Sequence, residues 1–316
     1  MWRLAFILLH ESKLRMNNVI SRIRILATFV VVAFHCACPL FLWGVESHAA
    51  HFETGKILFD FIFFRLLPDK LMPSFFLISG LLFYSNKEKY QNRIEAFWKK
   101  FNRIIIPMSL IYCLTSCFDI PNIGGGIVAG HLWFLKVLFT FFCLALLFYK
   151  VKEWILLVFG IVAYAISLSQ RRLGFDIGWY PLFCMHYFLF FIGGHFLSRY
   201  YSLLRTRRVQ IPLILISLVS VLMNCMSIYS VSFNILLFAF MPEKTLRNPF
   251  WTFIDRNSYA IYLLHHILLF SLFLLTPVCW LYSYSVSIAI LTTLFVVVAS
   301  TLFVCWTLRK VNFPFF

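Results

Sequence analysis

The chain has 316 residues, 62% of them hydrophobic and 13% charged, with 39 Phe and a mean hydropathy of +0.86. Water-soluble domains run near ~45–50% apolar and ~25% charged because their outer faces are wetted, so this composition excludes an ordinary soluble protein and requires lipid as a second solvent. The net charge of +16 does not point to nucleic acid, because the basic residues fall in the gaps between apolar runs, where they report topology.

The apolar runs are long and unalternated, as in residues 25–43, 131–149 and 284–308. This predicts an all-α integral membrane protein rather than a barrel, whose strands would alternate. Residues 1–15 hold a short apolar run, Trp2 to Leu9, then Glu11, Ser12, Lys13 and Arg15, with no small-residue cleavage site. They read as an N-terminal extension rather than a signal peptide, ahead of a single membrane domain at 16–316. At ~20 residues per crossing, ten spans are expected at about 21–43, 57–84, 101–119, 131–149, 153–170, 180–199, 209–227, 228–241, 257–276 and 284–308. Pro68 and Pro73 interrupt the second, and the eighth is short. With alternate gaps placed inside, 22 of the 28 Lys and Arg fall in the tail to Arg24 and in 87–103, 150–152, 199–208, 244–256 and 309–310. The positive-inside rule then puts the N-terminus in the cytoplasm, and an even number of spans puts the C-terminus there too. All nine Cys lie within or at the edge of apolar segments, so Cys36-x-Cys38 and Cys113-x3-Cys117 read as packing rather than as a disulfide scaffold or zinc ribbon.

With no long polar segment outside the helices, any chemistry falls among them, where an ionisable group is costly. In the first span Arg24 and His35 are separated by ten mostly apolar residues. Eleven steps at ~3.6 residues per turn put both on one face, about 16 Å apart along the axis. His35 reads either as a general base or as an imidazole hydrogen-bonded to a neighbouring helix, and Arg24 either as functional or as snorkelling to headgroups. The second run ends Phe75-Phe76-Leu77-Ile78-Ser79-Gly80, whose small residues permit close helix approach, and the basic loop after it carries Lys99, Lys100 and Arg103. Those cations could hold anionic lipid or a phosphorylated ligand. His131-Leu132-Trp133-Phe134-Leu135 opens the fourth span at the outer surface, where Trp133 alone would pass as an aromatic-belt residue. His48 and His51 lie in the first outer loop with Glu46 and Glu53, too loosely spaced to predict a metal. His186, His195 and His266 read as packing or hydrogen-bonded residues.

Ser258-Tyr259-Ala260-Ile261-Tyr262-Leu263-Leu264-His265 enters the ninth span. Together these elements resemble the membrane acyltransferase 3 family, the acyl-CoA-dependent O-acyltransferases of bacterial glycans. The Arg24-x10-His35 spacing is the most specific match, followed by the elements at 75–80, 131–135 and 258–265, and the resemblance runs from residue 16 to about 308. One position departs from it: where relatives often carry Arg-x-x-Arg, this chain has Lys100-Phe-Asn-Arg103, which keeps the charges but loses one guanidinium fork.

The resemblance implies a multi-pass protein of the bacterial inner membrane that transfers an acyl group, acetyl by default, from cytoplasmic acyl-CoA to a hydroxyl of a cell-envelope saccharide or lipid-linked glycan. Acyl-CoA is a co-substrate, and no permanently bound cofactor and no metal is expected. In this reading Arg24, Lys100 and Arg103 attract the phosphates of coenzyme A, with Ser79 and Tyr262 also on the donor side, and Tyr259, Tyr262 and His265 at the cytoplasmic start of the ninth span. His35 is the general base, assisted by Arg24; a covalent route would turn to Cys36 or Ser79. His131 and Trp133 fall on the acceptor side, where an aromatic face can stack on a sugar. Lys136 could stabilise charge on the thioester oxygen or pair with an acid, as Arg65 could with Asp60 or Asp69. The competing readings are a transporter or flippase for a lipid-linked saccharide, which would often show two similar halves, and a non-catalytic membrane subunit.

Overall fold

The computed structural model describes residues 2–41, 56–58, 60–67, 71–117, 130–173, 177–275 and 286–310. Glu46, His48, His51, Glu53, Pro68, Asp69, Lys70 and Cys279 lie outside the described residues, as do the side chains of Cys38 and Cys117. In chain order come α1 (Trp2–Phe41), a π-helical turn (Phe61–Leu66), α2 (Met72–Ser85), a 3-10 turn (Lys87–Tyr90), α3 (Arg93–Lys100), a second π-helical turn (Phe101–Ile105) and α4 (Ile106–Cys117). There follow α5 (Trp133–Leu147), α6 (Glu153–Leu173), α7 (Trp179–Arg199), α8 (Tyr201–Leu204), α9 (Arg207–Leu222), α10 (Met226–Phe240), α11 (Pro249–Leu275) and α12 (Val286–Lys310). Among the described residues all regular structure is helical. Among the described residues three segments, Arg15–Ala37, Glu153–Gln170 and Trp179–Arg199, are long and apolar enough to cross a membrane, and Met72–Ser85, Trp133–Leu147, Met226–Phe240 and Leu294–Thr307 are shorter apolar helices. Large apolar side chains point outward along α6 (Val158, Phe159, Val162) and α9 (Ile211, Leu215, Leu218), as a lipid-facing surface requires.

Three local departures from the expected segments shape the site. The second run is not one helix: the backbone turns through a left-handed residue, Leu71 (φ 61°), and α2 starts afresh with Pro73 in its first turn, where the missing N–H costs nothing. Arg103 does not lie on a loop, since α3, the π turn and α4 follow one another without a break from 93 to 117. The third departure is in α11, which begins at Pro249 rather than near residue 257. Tyr262 and His265 therefore sit about 20 Å along the helix instead of at its mouth. The polar stretch that reads as a loop is absorbed inside the protein: Asp255 pairs with Arg24, and buried Asn257 donates to the Phe253 carbonyl at 2.7 Å.

The helices pack around a core rich in phenylalanine, with Phe76, Phe83, Phe141, Phe191 and Phe238 wholly buried. The most extensive contact is α2 on α7, with α1 lying against α11 and α12. On α2 and α7 the backbones themselves touch: a methyl group on Gly80 would fall onto the Phe191 carbonyl, and one on Gly194 onto the Leu77 carbonyl and the Leu81 amide. Small residues permit this approach, and it draws α2 inward. Gly80→Ala is expected to cost about 3 kcal/mol or more by overpacking, read as a lower midpoint in thermal unfolding of the detergent-solubilised protein. An unshifted midpoint would show that the two helices are not held this closely.

Candidate active site

Four histidines converge from three parts of the chain. His265 and His266 are adjacent on α11, His35 comes from α1, and His131 lies just ahead of α5. His131, His265 and His266 are buried and His35 is half-buried. His131 stacks on His266 with ring centres 4.1 Å apart, and His35 meets His266 edge-on at 4.3 Å.

The hydrogen bonds assign the tautomers. His265 Nδ1 faces two carbonyls, those of Tyr262 at 2.7 Å and Ile261 at 3.1 Å. Carbonyls only accept, so Nδ1 carries the proton. In neutral His265 Nε2 is then an acceptor, and it faces His35 Nδ1 at 3.0 Å. His35 Nδ1–H donates to it, which leaves His35 Nε2 with the lone pair able to take a proton. A ring anchored on the helix backbone thus holds the His35 imidazole in one orientation and would stabilise its protonated form.

Two cavities lie nearby: one is lined in part by His35 and His131, and the other adjoins it through Tyr262. The first, about 190 Å³, is lined by Arg24, Ser79, Lys100, Arg103, Tyr259 and Tyr262, with apolar walls from α2 and α5. The second, about 180 Å³, is lined by His35, His131, Trp133, Phe183, Tyr187 and Tyr262, with Met72, Val31 and Phe34. Tyr262 is common to both, fully packed, with its hydroxyl donating to the His131 carbonyl. Arg24 is held against Asp255 (Nε to Oδ1, 2.8 Å). The Tyr259 hydroxyl donates to the Arg103 carbonyl at 2.9 Å, fixing the π turn against α11. Lys100 Nζ lies 4.0 Å from the centre of the Phe142 ring. Burial, helped by the nearby Arg103 guanidinium, lowers its ammonium from 10.5 to about 8.

Most of the residues expected at the site are brought together, in two groups. Every donor-side residue (Arg24, Ser79, Lys100, Arg103, Tyr262) lines the first cavity, and His35, His131 and Trp133 share the second. Trp133 lines the second cavity, its ring packing 4.6 Å from Phe183 and 5.3 Å from Tyr187. His131, expected at the outer surface, is buried at 3% exposure. Lys136 is set apart: it lines neither cavity, and its ammonium lies 5.8 Å from the Tyr112 ring centre. Cys36 is buried in an apolar cluster with Val32, Ile261 and Leu269 and lines neither cavity, whereas Arg65 is exposed on the first π turn. Sequence reasoning missed Asp255, His265 as the partner of His35, and His266, which it read as packing; His186 does keep that reading, with Nδ1 3.3 Å from Ser167 Oγ.

The described residues thus form an apolar helical bundle with two cavities, cations lining one and a hydrogen-bonded imidazole in the other. Comparison with known families gives the class. Residues 17–310 match the acyltransferase domain of the acyltransferase 3 family, and the chain belongs to that family. It is thus an acyltransferase of the membrane type. No curated protein and no solved structure matches it.

Lys100 gives the first cavity a pH dependence with a definite sign. The ammonium is charged below about 8 and neutral above it, so attraction for a phosphate is complete at pH 7 and fades as the pH rises. If this cavity takes the coenzyme A phosphates that the resemblance implies, coenzyme A binds about fivefold more weakly at pH 9 than at pH 7, with Lys100→Arg holding its affinity across that range, as read by calorimetry. A wild-type affinity that is flat from pH 7 to 9 would remove Lys100 from the phosphate site.

Proposed function

We propose that the protein is an O-acyltransferase that moves an acyl group, acetyl by default, from cytoplasmic acyl-CoA to a hydroxyl of a cell-envelope saccharide or lipid-linked glycan. It acts in a bacterial inner membrane through about ten spans with both termini in the cytoplasm, the arrangement that gathers most of the Lys and Arg on one side. The observation that carries the reading is the pair of cavities sharing Tyr262, one lined by Arg24, Lys100 and Arg103 and the other by His35 and His131. Coenzyme A phosphates suit the first, because guanidinium and ammonium groups make charge-assisted hydrogen bonds to phosphate. A sugar suits the second, where Trp133, Phe183 and Tyr187 offer flat aromatic faces.

The chemistry follows from the His35 tautomer. As the acceptor oxygen bonds to the thioester carbonyl carbon, His35 Nε2 takes the hydroxyl proton, and the imidazolium is stabilised by its Nδ1–H bond to His265. Collapse of the tetrahedral adduct breaks the carbon–sulfur bond, and the proton passes from His35 to the departing thiolate. The products are an ester and coenzyme A, with no acyl-enzyme.

The test is transfer from radiolabelled acetyl-CoA in membranes containing the protein. Alkali-labile label in the envelope glycan fraction, absent from membranes lacking the protein, is the expected result. No transfer from acetyl-CoA or from longer acyl-CoA donors would overturn acyl-CoA as the donor.

A further inference from the structure

Among the described residues, the one group of three or more His, Cys, Asp and Glu side chains able to hold a metal ion is His35, His265 and His266, with one ring nitrogen from each within 4.8 Å of the others. We propose that these three histidines form a binding site for a zinc-class divalent transition ion, and that occupancy stops acyl transfer by consuming the His35 lone pair. The second clause rests on the general-base reading of His35.

The donor set is three imidazoles, which suits Zn(II), Co(II), Cu(II) or Ni(II) and not Mg(II) or Ca(II). His265 is already arranged as a ligand: its Nδ1–H is held by the Tyr262 and Ile261 carbonyls and its Nε2 points at the cluster. That is the outer-shell contact that orients metal-bound imidazoles. Zinc–nitrogen bonds of ~2.0–2.1 Å in a tetrahedron place ligand nitrogens about 3.3 Å apart. The His35–His265 pair, at 3.0 Å, needs only a few tenths of an ångström of movement, and the His266 nitrogen, within 4.8 Å of both, needs at most about 1.5 Å. Of the three ligands His35 lines the second cavity, so the site adjoins that cavity on the His35 side. Whichever nitrogen of His35 coordinates, a neutral ring then carries its proton on the other, so no base remains.

The test uses full-length protein in lipid nanodiscs, cleared of metal with a chelator and titrated with Co(II) alone, without donor or acceptor, by visible absorption. One Co(II) per chain, displaced by Zn(II), is expected, with binding at least roughly tenfold weaker in His265→Gln and in His266→Gln. Two variants are used so that a folding failure in one leaves the other to decide. In the transfer assay Zn(II) should inhibit and chelator should restore the rate, with the inhibiting concentration for His266→Gln, relative to its own metal-free rate, raised by the same factor as its affinity falls. Absence of stoichiometric binding, or binding unchanged in both variants, overturns the site. Binding that leaves transfer intact or accelerates it overturns the inhibition. Metal titration without substrates reads the site alone and turnover in chelator reads the base alone, so the two failures are distinguishable.

Discussion

Replacing His35 with Ala is expected to lower kcat for acyl transfer by about 10²–10⁴, the range that a positioned acid–base group contributes. The same experiment on its partner separates chemistry from packing. His265→Ala removes the acceptor that orients His35 Nδ1–H, and about 10- to 100-fold should be lost by analogy with the effect of removing second-shell partners of histidine. His265→Gln places an amide oxygen where Nε2 was and should recover much of that loss. If both His265 variants keep the wild-type rate while His35→Ala does not, the 3.0 Å contact is incidental and His35 acts alone.

The second large effect concerns the ion pair between α1 and α11. Arg24 and Asp255 are about one-third and one-seventh exposed (32% and 15%), so their pairing is only partly screened by solvent. Arg24→Ala should weaken coenzyme A binding by about tenfold or more, through loss of a phosphate contact, and should leave an acid partly buried without its cation. Asp255→Ala leaves the guanidinium in the cavity without its tether, so it should cost stability and have the smaller effect on affinity. In the double variant the stability losses should fall short of additive by ~1 kcal/mol, as expected for groups in direct contact. Strictly additive losses would mean that the pair is not formed in the membrane.

The sequence carried the residues of the site better than their arrangement. Arg24 and His35 lie one above the other on α1 because helix periodicity requires it, and Arg24, Ser79, Lys100, Arg103, Tyr259 and Tyr262 line the first cavity while His265 does not. Contacts between α1 and α11 are a different matter. They join residues some 230 positions apart, and no local pattern reports which face of one helix meets which face of another. The ninth span is expected to start at 257 because Lys244, Arg247 and Arg256 mark 244–256 as a cytoplasmic gap, yet α11 takes up two polar groups there, Asp255 and Asn257. Inside the protein one is neutralised by a cation on α1 and the other by a backbone carbonyl. Once that helix start shifts by two turns, Tyr262 moves from the mouth of the bundle to the wall between the cavities. His266 looked inert for a related reason, because a histidine on an apolar helix usually satisfies itself locally. Lys136 was grouped with His131 by nearness in sequence, yet His131 lies in the turn ahead of α5 and Lys136 on the helix itself, where it lines neither cavity.

The central claim is that one cavity binds the donor and the other holds the base. It is tested most directly by measuring coenzyme A affinity and transfer rate together in two variants, His35→Gln and the double substitution Lys100→Gln with Arg103→Gln. His35→Gln should bind coenzyme A within about twofold of wild type and transfer no measurable label, whereas the double variant should bind at least roughly tenfold more weakly yet transfer at saturating donor. Loss of coenzyme A affinity in His35→Gln, or wild-type affinity in the double variant, would contradict the account.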